Sequence, residues 1–179
     1  MKILKRLLLG ILVLVALLAL VGLFLPDRYH VERTIVMDAP AEAVFARANT
    51  LKTWPEWTAW TKAKYPDMET KFSGPEAGVG SVYQWSGKSS GIGSLRITAV
   101  EPAKRVIYDL DFENGKYLSV GSIILTPEGT ATRVTWVDEG ALGSNPINRW
   151  FGLMMDSMMG PDFETGLKNL KQLSEKPAK

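Results

Sequence analysis

Closely spaced carboxylates are the residues of this sequence that could do acid–base chemistry. Asp109 and Asp111 are two positions apart, and Asp138 directly precedes Glu139. A carboxylic acid buried in an apolar interior has a raised pKa and can act as a general acid or base. Acids at i and i+2 on a strand that ends at a hairpin are more typical of a solvated face. We therefore predict no catalytic residue.

The rest of the composition excludes several other kinds of site. There is no cysteine, which excludes disulfides, thiol nucleophiles and thiolate metal sites. His30 is the single histidine, so a multi-histidine metal site is excluded, and we expect an exposed imidazole without a catalytic role. The run at Gly91–Ser94 lacks the third glycine of a dinucleotide fingerprint and leads into a strand. We predict neither a metal nor a cofactor.

The N-terminal segment predicts a membrane anchor. Residues 7–25 carry no charge, and as a helix they span about 28 Å, close to the thickness of a hydrocarbon core. Lys2, Lys5 and Arg6 precede them, which favours a cytoplasmic N-terminus and a domain on the periplasmic or extracytoplasmic side of a bacterial inner membrane. A cleaved signal peptide is the alternative. An uncleaved anchor is favoured because the apolar run is long and its end lacks an A-x-A-like site.

The remaining chain predicts one domain with mixed surface charge. Beyond the three basic residues before the apolar run, 18 basic residues face 19 acidic ones. This balance gives no electrostatic footprint for nucleic acid, so no nucleic-acid partner is expected. We assign 1–28 to the anchor, 29–175 to the domain and 176–179 to a disordered tail. The sequence does not indicate the oligomeric state.

Periodicity and turn residues predict the order of the elements. Residues 29–37 alternate as a strand, and two short helices follow, the second limited by Pro55. Six extended runs separated by turn residues then form a meander of antiparallel strands. A long terminal helix begins at Ser144 or Asn145, either of which can cap it, with Pro146 in the first helical position. Its apolar stripe changes side at Gly160 and Pro161, where we predict a kink.

Three stretches of the sequence resemble a known superfamily. They are "VERTIVMDAPAEAVFARANTLKTWPEWTAW", "GTATRVTWVDEG" and "FETGLKNLKQLSE", and together with the order of elements they resemble polyketide cyclase/dehydrase-like members of the START-like, or SRPBCC, superfamily. The resemblance covers residues 29–175. It implies an α+β helix-grip fold, in which a seven-stranded antiparallel curved sheet surrounds a long C-terminal helix. It also implies a cavity for an apolar ligand between sheet and helix.

Tryptophan, tyrosine and methionine supply the candidate ligand contacts of such a cavity. Trp54, Trp57 and Trp60 recur at intervals of three and suit a structural plug, a ligand contact or the bilayer interface. The plug is favoured, and Trp60 is the tryptophan we expect to face a cavity. Strand alternation and the methionine-rich helix add further candidates. The full predicted ligand-binding set is Trp57, Trp60, Tyr83, Trp85, Tyr108, Trp136, Met154, Met155 and Met158.

Three functions remain open at this point. The favoured one is membrane-anchored binding or transport of a lipid or other hydrophobic small molecule. The second is a cyclase/dehydrase-like enzyme that acts on an aromatic or hydrophobic substrate with a buried acid. The third is an interaction module whose core is filled by its own side chains, since a closely packed core would use the same aromatic residues and methionines.

Overall fold

The computed structural model describes residues 2–175, so the tail predicted at 176–179 lies outside the described residues. Five helices and one 3₁₀ turn are present: α1 (Lys2–Gly22), α2 (Ala41–Ala48), the turn Leu51–Thr53, α3 (Trp54–Trp57), α4 (Pro146–Gly152) and α5 (Met155–Ser174). The seven strands are β1 (Arg28–Met37), β2 (Glu69–Ser73), β3 (Val82–Gly87), β4 (Gly91–Glu101), β5 (Arg105–Phe112), β6 (Tyr117–Glu128) and β7 (Ala131–Ala141).

All seven strands form one antiparallel sheet in the order β1-β7-β6-β5-β4-β3-β2. Strands β2 to β7 are a meander, and β1 closes it by pairing with β7 over its whole length, from Arg28 opposite Ala141 to Met37 opposite Thr132. At the β5–β6 turn, Glu113, Asn114 and Gly115 all have positive φ, a conformation that asparagine and glycine adopt readily in hairpin turns. The predicted helix-grip fold is confirmed, including both short helices after β1.

The terminal helix is interrupted at a different place from the one predicted. Leu153 and Met154 separate α4 from α5, whereas α5 continues through Pro161. Gly152 ends α4 because it has low helix propensity, and its missing side chain accommodates Leu142. The predicted cap is correct, since the Asn145 side chain accepts a hydrogen bond from the Ile147 backbone N–H at 2.9 Å.

The hydrophobic core lies between the sheet and α2, α3 and α5. We call the sheet face that packs against α5 the inner face. Strand alternation holds along β5, where Val106 and Tyr108 are buried on the inner face and Asp109 is exposed on the outer face. Phe163 and Leu167 supply buried side chains of α5. The helix packs mainly against β1 and α3, and it therefore covers one side of the sheet more than the other.

Helix α1 stands apart from this core. Its residues from Ile3 to Gly22 form a helix long and apolar enough to cross a membrane, and their side chains are exposed almost throughout. Gly22 is the exception, because it is buried beneath α4. The predicted apolar helix is thus present, and its last turn contacts the domain.

Candidate functional site

Three aromatic rings lie across glycines on the inner face of the sheet. In each pair the glycine is directly opposite the aromatic residue on the neighbouring strand, and a side chain on the glycine would collide with the ring. Without a Cβ the glycine lets the ring lie flat on the backbone. The pairs are Tyr29 with Gly140, Tyr108 with Gly121, and Trp85 with Gly93.

The first part of the site is a closed aromatic core under α5. The Trp136 ring stacks on Phe163 with centroids 4.2 Å apart and an interplanar angle of 5°. Trp57 packs against Trp136 at 5.2 Å, and Trp54 packs against Tyr108 at 5.2 Å. All five rings are nearly inaccessible to solvent. Because they fill the space between α5 and the sheet, they act here as the structural plug that the sequence favours.

A second group of rings forms what we call the aromatic strip on the inner face. In the order Phe72, Tyr83, Trp85, Phe112 and Tyr117, the centroids of neighbouring rings are 4.9, 5.6, 6.5 and 6.4 Å apart. The strip lies on strands β2, β3, β5 and β6, away from the main contact of α5 with β1. Its members are Phe72, Tyr83, Trp85, Phe112 and Tyr117.

The aromatic strip changes from buried to exposed along its length. Tyr83 is buried, Trp85 and Phe112 are half-buried, and Tyr117 is more than half exposed. In the part of the chain that the structure describes, the Tyr83 hydroxyl is buried without a hydrogen-bond partner, and burial raises its pKa. The more exposed rings of the strip therefore form a flat apolar surface beside the buried Tyr83 hydroxyl.

A cleft of about 230 Å³ borders the Phe72 end of the strip. Its lining residues are Leu51, Lys52, Phe72, Ser73, Gly74, Pro75, Glu76, Ser81 and Val82. Pockets for drug-sized ligands are usually larger, at roughly 300–1,000 Å³. The cleft alone would accept only a small group.

A buried carboxyl group lies beside the closed aromatic core. Asp138 is 1% exposed. The Tyr29 hydroxyl donates a hydrogen bond to its Oδ1 at 2.8 Å, and the Ser119 hydroxyl donates to its Oδ2 at 3.1 Å. Loss of solvation raises the pKa of Asp138 to about 6, because burial outweighs these two hydrogen bonds, which lower it. The group can therefore exchange a proton near neutral pH.

Two tyrosines beside Asp138 remain protonated. Burial raises the pKa of Tyr29, and the charge of Asp138 raises it further. The same two causes, in the same order, raise the pKa of Tyr108. The Tyr108 hydroxyl accepts a hydrogen bond from Trp136 Nε1 at 2.8 Å. We call Asp138, Tyr29, Ser119 and Tyr108 the Asp138 cluster.

The sequence pairs Asp138 with Glu139, but the structure places them on opposite faces. Glu139 is exposed and contacts His30 Nδ1 at 2.7 Å, and His30 Nε2 lies 3.3 Å from Glu32. These contacts raise the pKa of His30, which is exposed as predicted. The signal that could have identified Asp138 was present, because it continues the inner-face alternation of Val134 and Trp136.

The predicted ligand contacts fall into three places. Trp57, Tyr83, Tyr108 and Trp136 are buried. Trp60, Trp85 and Met155 are half-buried, with Trp60 6.2 Å from the Trp136 ring and Met155 packed against the core. Met154 and Met158 are exposed on the outside of the helical segment. The structure does not bring the nine residues into one site, and ligand binding by each stays a prediction.

Among residues 2–175, no group of three or more histidine or acidic side chains is arranged to hold a metal ion.

The profile of one protein family matches residues 28–175, which is nearly the whole domain. Its description is "Polyketide cyclase / dehydrase and lipid transport". The chain belongs to this family. No curated protein matches the chain.

Solved structures of other proteins share the fold. A protein from Chromobacterium violaceum is 20% identical, with 84% of this chain and 99% of that chain covered and a TM-score of 0.54. A truncated norcoclaurine synthase from Thalictrum flavum is 11% identical over 82% of this chain and 92% of that chain, with a TM-score of 0.59. The di-domain ARO/CYC protein StfQ of the steffimycin pathway is 8% identical over 83% of this chain and 51% of that chain, with a TM-score of 0.64. At these identities the likeness shows the fold alone.

Proposed function

We propose that this family member binds a lipid or other hydrophobic small molecule on the inner face of its sheet while α1 anchors it in a membrane. The observation that carries the proposal is the aromatic strip, whose half-buried rings Trp85 and Phe112 lie on strands away from the main α5 contact. Half-buried aromatic surface gains by being covered with an apolar ligand. The family description, which includes lipid transport, supports the same function.

The anchoring part of the proposal rests on α1. The helix has the length and composition of a single membrane span, and its exposed side chains have no protein partner in the described residues apart from the contact with α4. Basic residues before the span favour a domain on the extracytoplasmic side of an inner membrane. Such a domain could take its ligand directly from the lipid phase.

A binding experiment with a matched control tests the role of the strip. The domain purified without α1 is titrated with a fluorescent fatty acid, as wild type, Trp85→Ala and Ile92→Ala. Ile92 is an exposed apolar residue of the adjacent strand β4, but it lies on the outer face. We expect saturable binding that weakens about tenfold or more in Trp85→Ala, the equivalent of about 1.4 kcal/mol, and is unchanged in Ile92→Ala. Absence of saturable binding, or equal loss in both variants, would contradict the proposal.

A second candidate function is acid–base catalysis in a cyclase/dehydrase-like reaction. The specific observation in its favour is Asp138, whose buried carboxyl has a pKa of about 6 and two protonated neighbours. A group with a pKa near the working pH suits proton transfer to or from a bound substrate. The filled-core hypothesis, by contrast, needs no titratable group inside.

The two candidate functions predict different compounds bound to the purified protein. Compounds that copurify with wild type and with Asp138→Asn would be compared by mass spectrometry. If Asp138 transfers protons during a dehydration, the variant retains an unconverted substrate that is heavier than the wild-type product by one water. The same compound in both preparations favours binding alone.

A further inference from the structure

The structure leaves a second apolar surface, separate from the inner face, around α4 and the start of α5. Helix α4 contains no buried residue. Five large side chains here are each at least half exposed, and four of them, at positions 147, 151, 154 and 158, recur at intervals of three and four residues. We call them the apolar patch: Ile147, Phe151, Leu153, Met154 and Met158.

The apolar patch is fixed to the end of α1 by specific contacts. Trp150 Nε1 donates a hydrogen bond to the backbone carbonyl of Leu18 at 3.0 Å. Gly22 lies directly under α4, where a Cβ would be 2.7 Å from the Pro146 side chain. Only glycine allows this close approach, so α4 and the last turn of α1 pack against each other.

Arg149 strengthens the same junction. Its Nη1 donates to the carbonyl oxygens of Leu23 and Leu25 at 2.7 and 3.2 Å, and its Nε donates to the carbonyl oxygen of Gly143 at 3.1 Å. The carbonyls of Leu23 and Leu25 directly follow the end of α1, where the helix itself provides no hydrogen-bond donors. A cation at this end also interacts favourably with the helix dipole. The charge of Arg149 is thereby turned toward the backbone and away from the apolar patch.

The position of these contacts sets the depth of α4. Leu18 precedes Leu25, the last residue of the apolar run, by seven residues, or about 10 Å at the rise of a helix. If α1 crosses a bilayer with residues 7–25 in the hydrocarbon, the Trp150 contact with Leu18 places α4 beside the last turns of the span. Interfacial helices bury their apolar face about 5–10 Å into the boundary between headgroups and acyl chains. The geometry of α4 agrees with that depth.

We propose that the apolar patch is a second membrane-binding element, which inserts into the leaflet at the C-terminal end of α1 and holds the domain against the bilayer. The occupant is the lipid of the same membrane, because α4, which carries Ile147 and Phe151 of the patch, packs against the end of α1. Trp150, beside the patch, is of the residue type that favours membrane interfaces. The junction between α4 and α5 then faces the lipid surface, together with Met155, the first residue of α5.

This inference rests on the anchoring part of the proposed function, and the experiment separates the two. Because the chain has no cysteine, single cysteines can carry an environment-sensitive fluorophore in the full-length protein. The positions are Phe151→Cys in the patch, Leu12→Cys in the middle of α1 and Ile92→Cys on the outer face of β4. Each labelled protein is reconstituted in phosphatidylcholine vesicles with and without brominated acyl chains.

We expect blue-shifted emission and quenching by brominated lipid at positions 12 and 151, and neither effect at position 92. Quenching at 12 with an aqueous signal at 151 would leave the anchor intact and overturn the second membrane contact. A blue shift at 151 without lipid quenching would mean that protein, such as a second copy of the chain, covers the patch, and it would also overturn the proposal. An aqueous signal at 12 would refute anchoring and the patch proposal together.

Discussion

Replacing Asp138 with asparagine is expected to remove a specific pH dependence of stability. Asparagine has nearly the same shape, so the Tyr29 hydroxyl can still donate to the side-chain oxygen, and the Ser119 hydroxyl can accept from the amide. The substitution removes only the ability of the side chain at position 138 to ionise. The wild-type carboxyl has a pKa of about 6 in the folded protein, against an ordinary value of 3.8.

The sign follows from the raised pKa. Folding favours the protonated acid, so the contribution of Asp138 to stability is fully present below pH 3.8 and is lost as the pH rises through about 6. A shift of roughly two pKa units corresponds to about 3 kcal/mol. The unfolding free energy of wild type minus that of the variant should therefore fall by about 3 kcal/mol from about pH 3 to about pH 8.

The assay is urea unfolding of the full-length protein in detergent, followed by tryptophan fluorescence at several pH values. Taking the difference between wild type and variant cancels the titration of all other groups. Asp109→Asn is the control, because Asp109 is an exposed acid on the outer face of β5. A difference that is constant with pH would refute the reasoning. A difference that rises with pH would mean that the hydrogen bonds from Tyr29 and Ser119 outweigh burial.

Three further predictions concern packing and the strip. Trp136→Ala should lose about 3–5 kcal/mol of unfolding free energy, because it removes the centre of the closed aromatic core. Met158→Ala should change the unfolding free energy by no more than about 0.5 kcal/mol, since Met158 is exposed. Urea unfolding of Trp136→Ala and Met158→Ala measures this contrast. Equal losses in the two variants would contradict the described packing. Gly121→Val should lower the unfolding free energy by at least about 1–3 kcal/mol, because the valine side chain would enter the space of the Tyr108 ring. A thermal unfolding midpoint equal to that of wild type would contradict this prediction and show that the ring moves aside freely. Trp85→Ala should lower fatty-acid affinity with little loss of stability, because its ring is only half-buried; a large drop in the unfolding midpoint would assign Trp85 to the core instead.

The sequence predicts the fold well because its signals are local. Alternation along β5 and β7, the Asn114-Gly115 turn and the Asn145 cap each depend on a few neighbouring residues. The order of the elements then leaves few ways to arrange an antiparallel meander. The position of the helix break depends instead on Gly152 packing against Leu142 and on α4 packing against α1. Such contacts between distant segments are not visible in the periodicity of the helix.

The candidate site is less predictable because it depends on pairs of residues that meet across strands. Tyr108 lies on Gly121, and Tyr29 on Gly140, through register that only the folded sheet defines. The pKa of Asp138 depends on its burial. In the sequence Asp138 stands next to Glu139, and two adjacent acids do not by themselves indicate that one of them is buried. Candidate ligand residues chosen by type and by position within one strand or helix were therefore divided among the core and its edge, the strip and the apolar patch.

Native mass spectrometry of the full-length protein, released gently from its membrane, tests the central claim most directly. We predict a bound apolar molecule in wild type and in Ile92→Ala, and its loss in Trp85→Ala. A wild-type protein that carries no such molecule, and takes none up when lipid is added, would contradict ligand binding on the inner face.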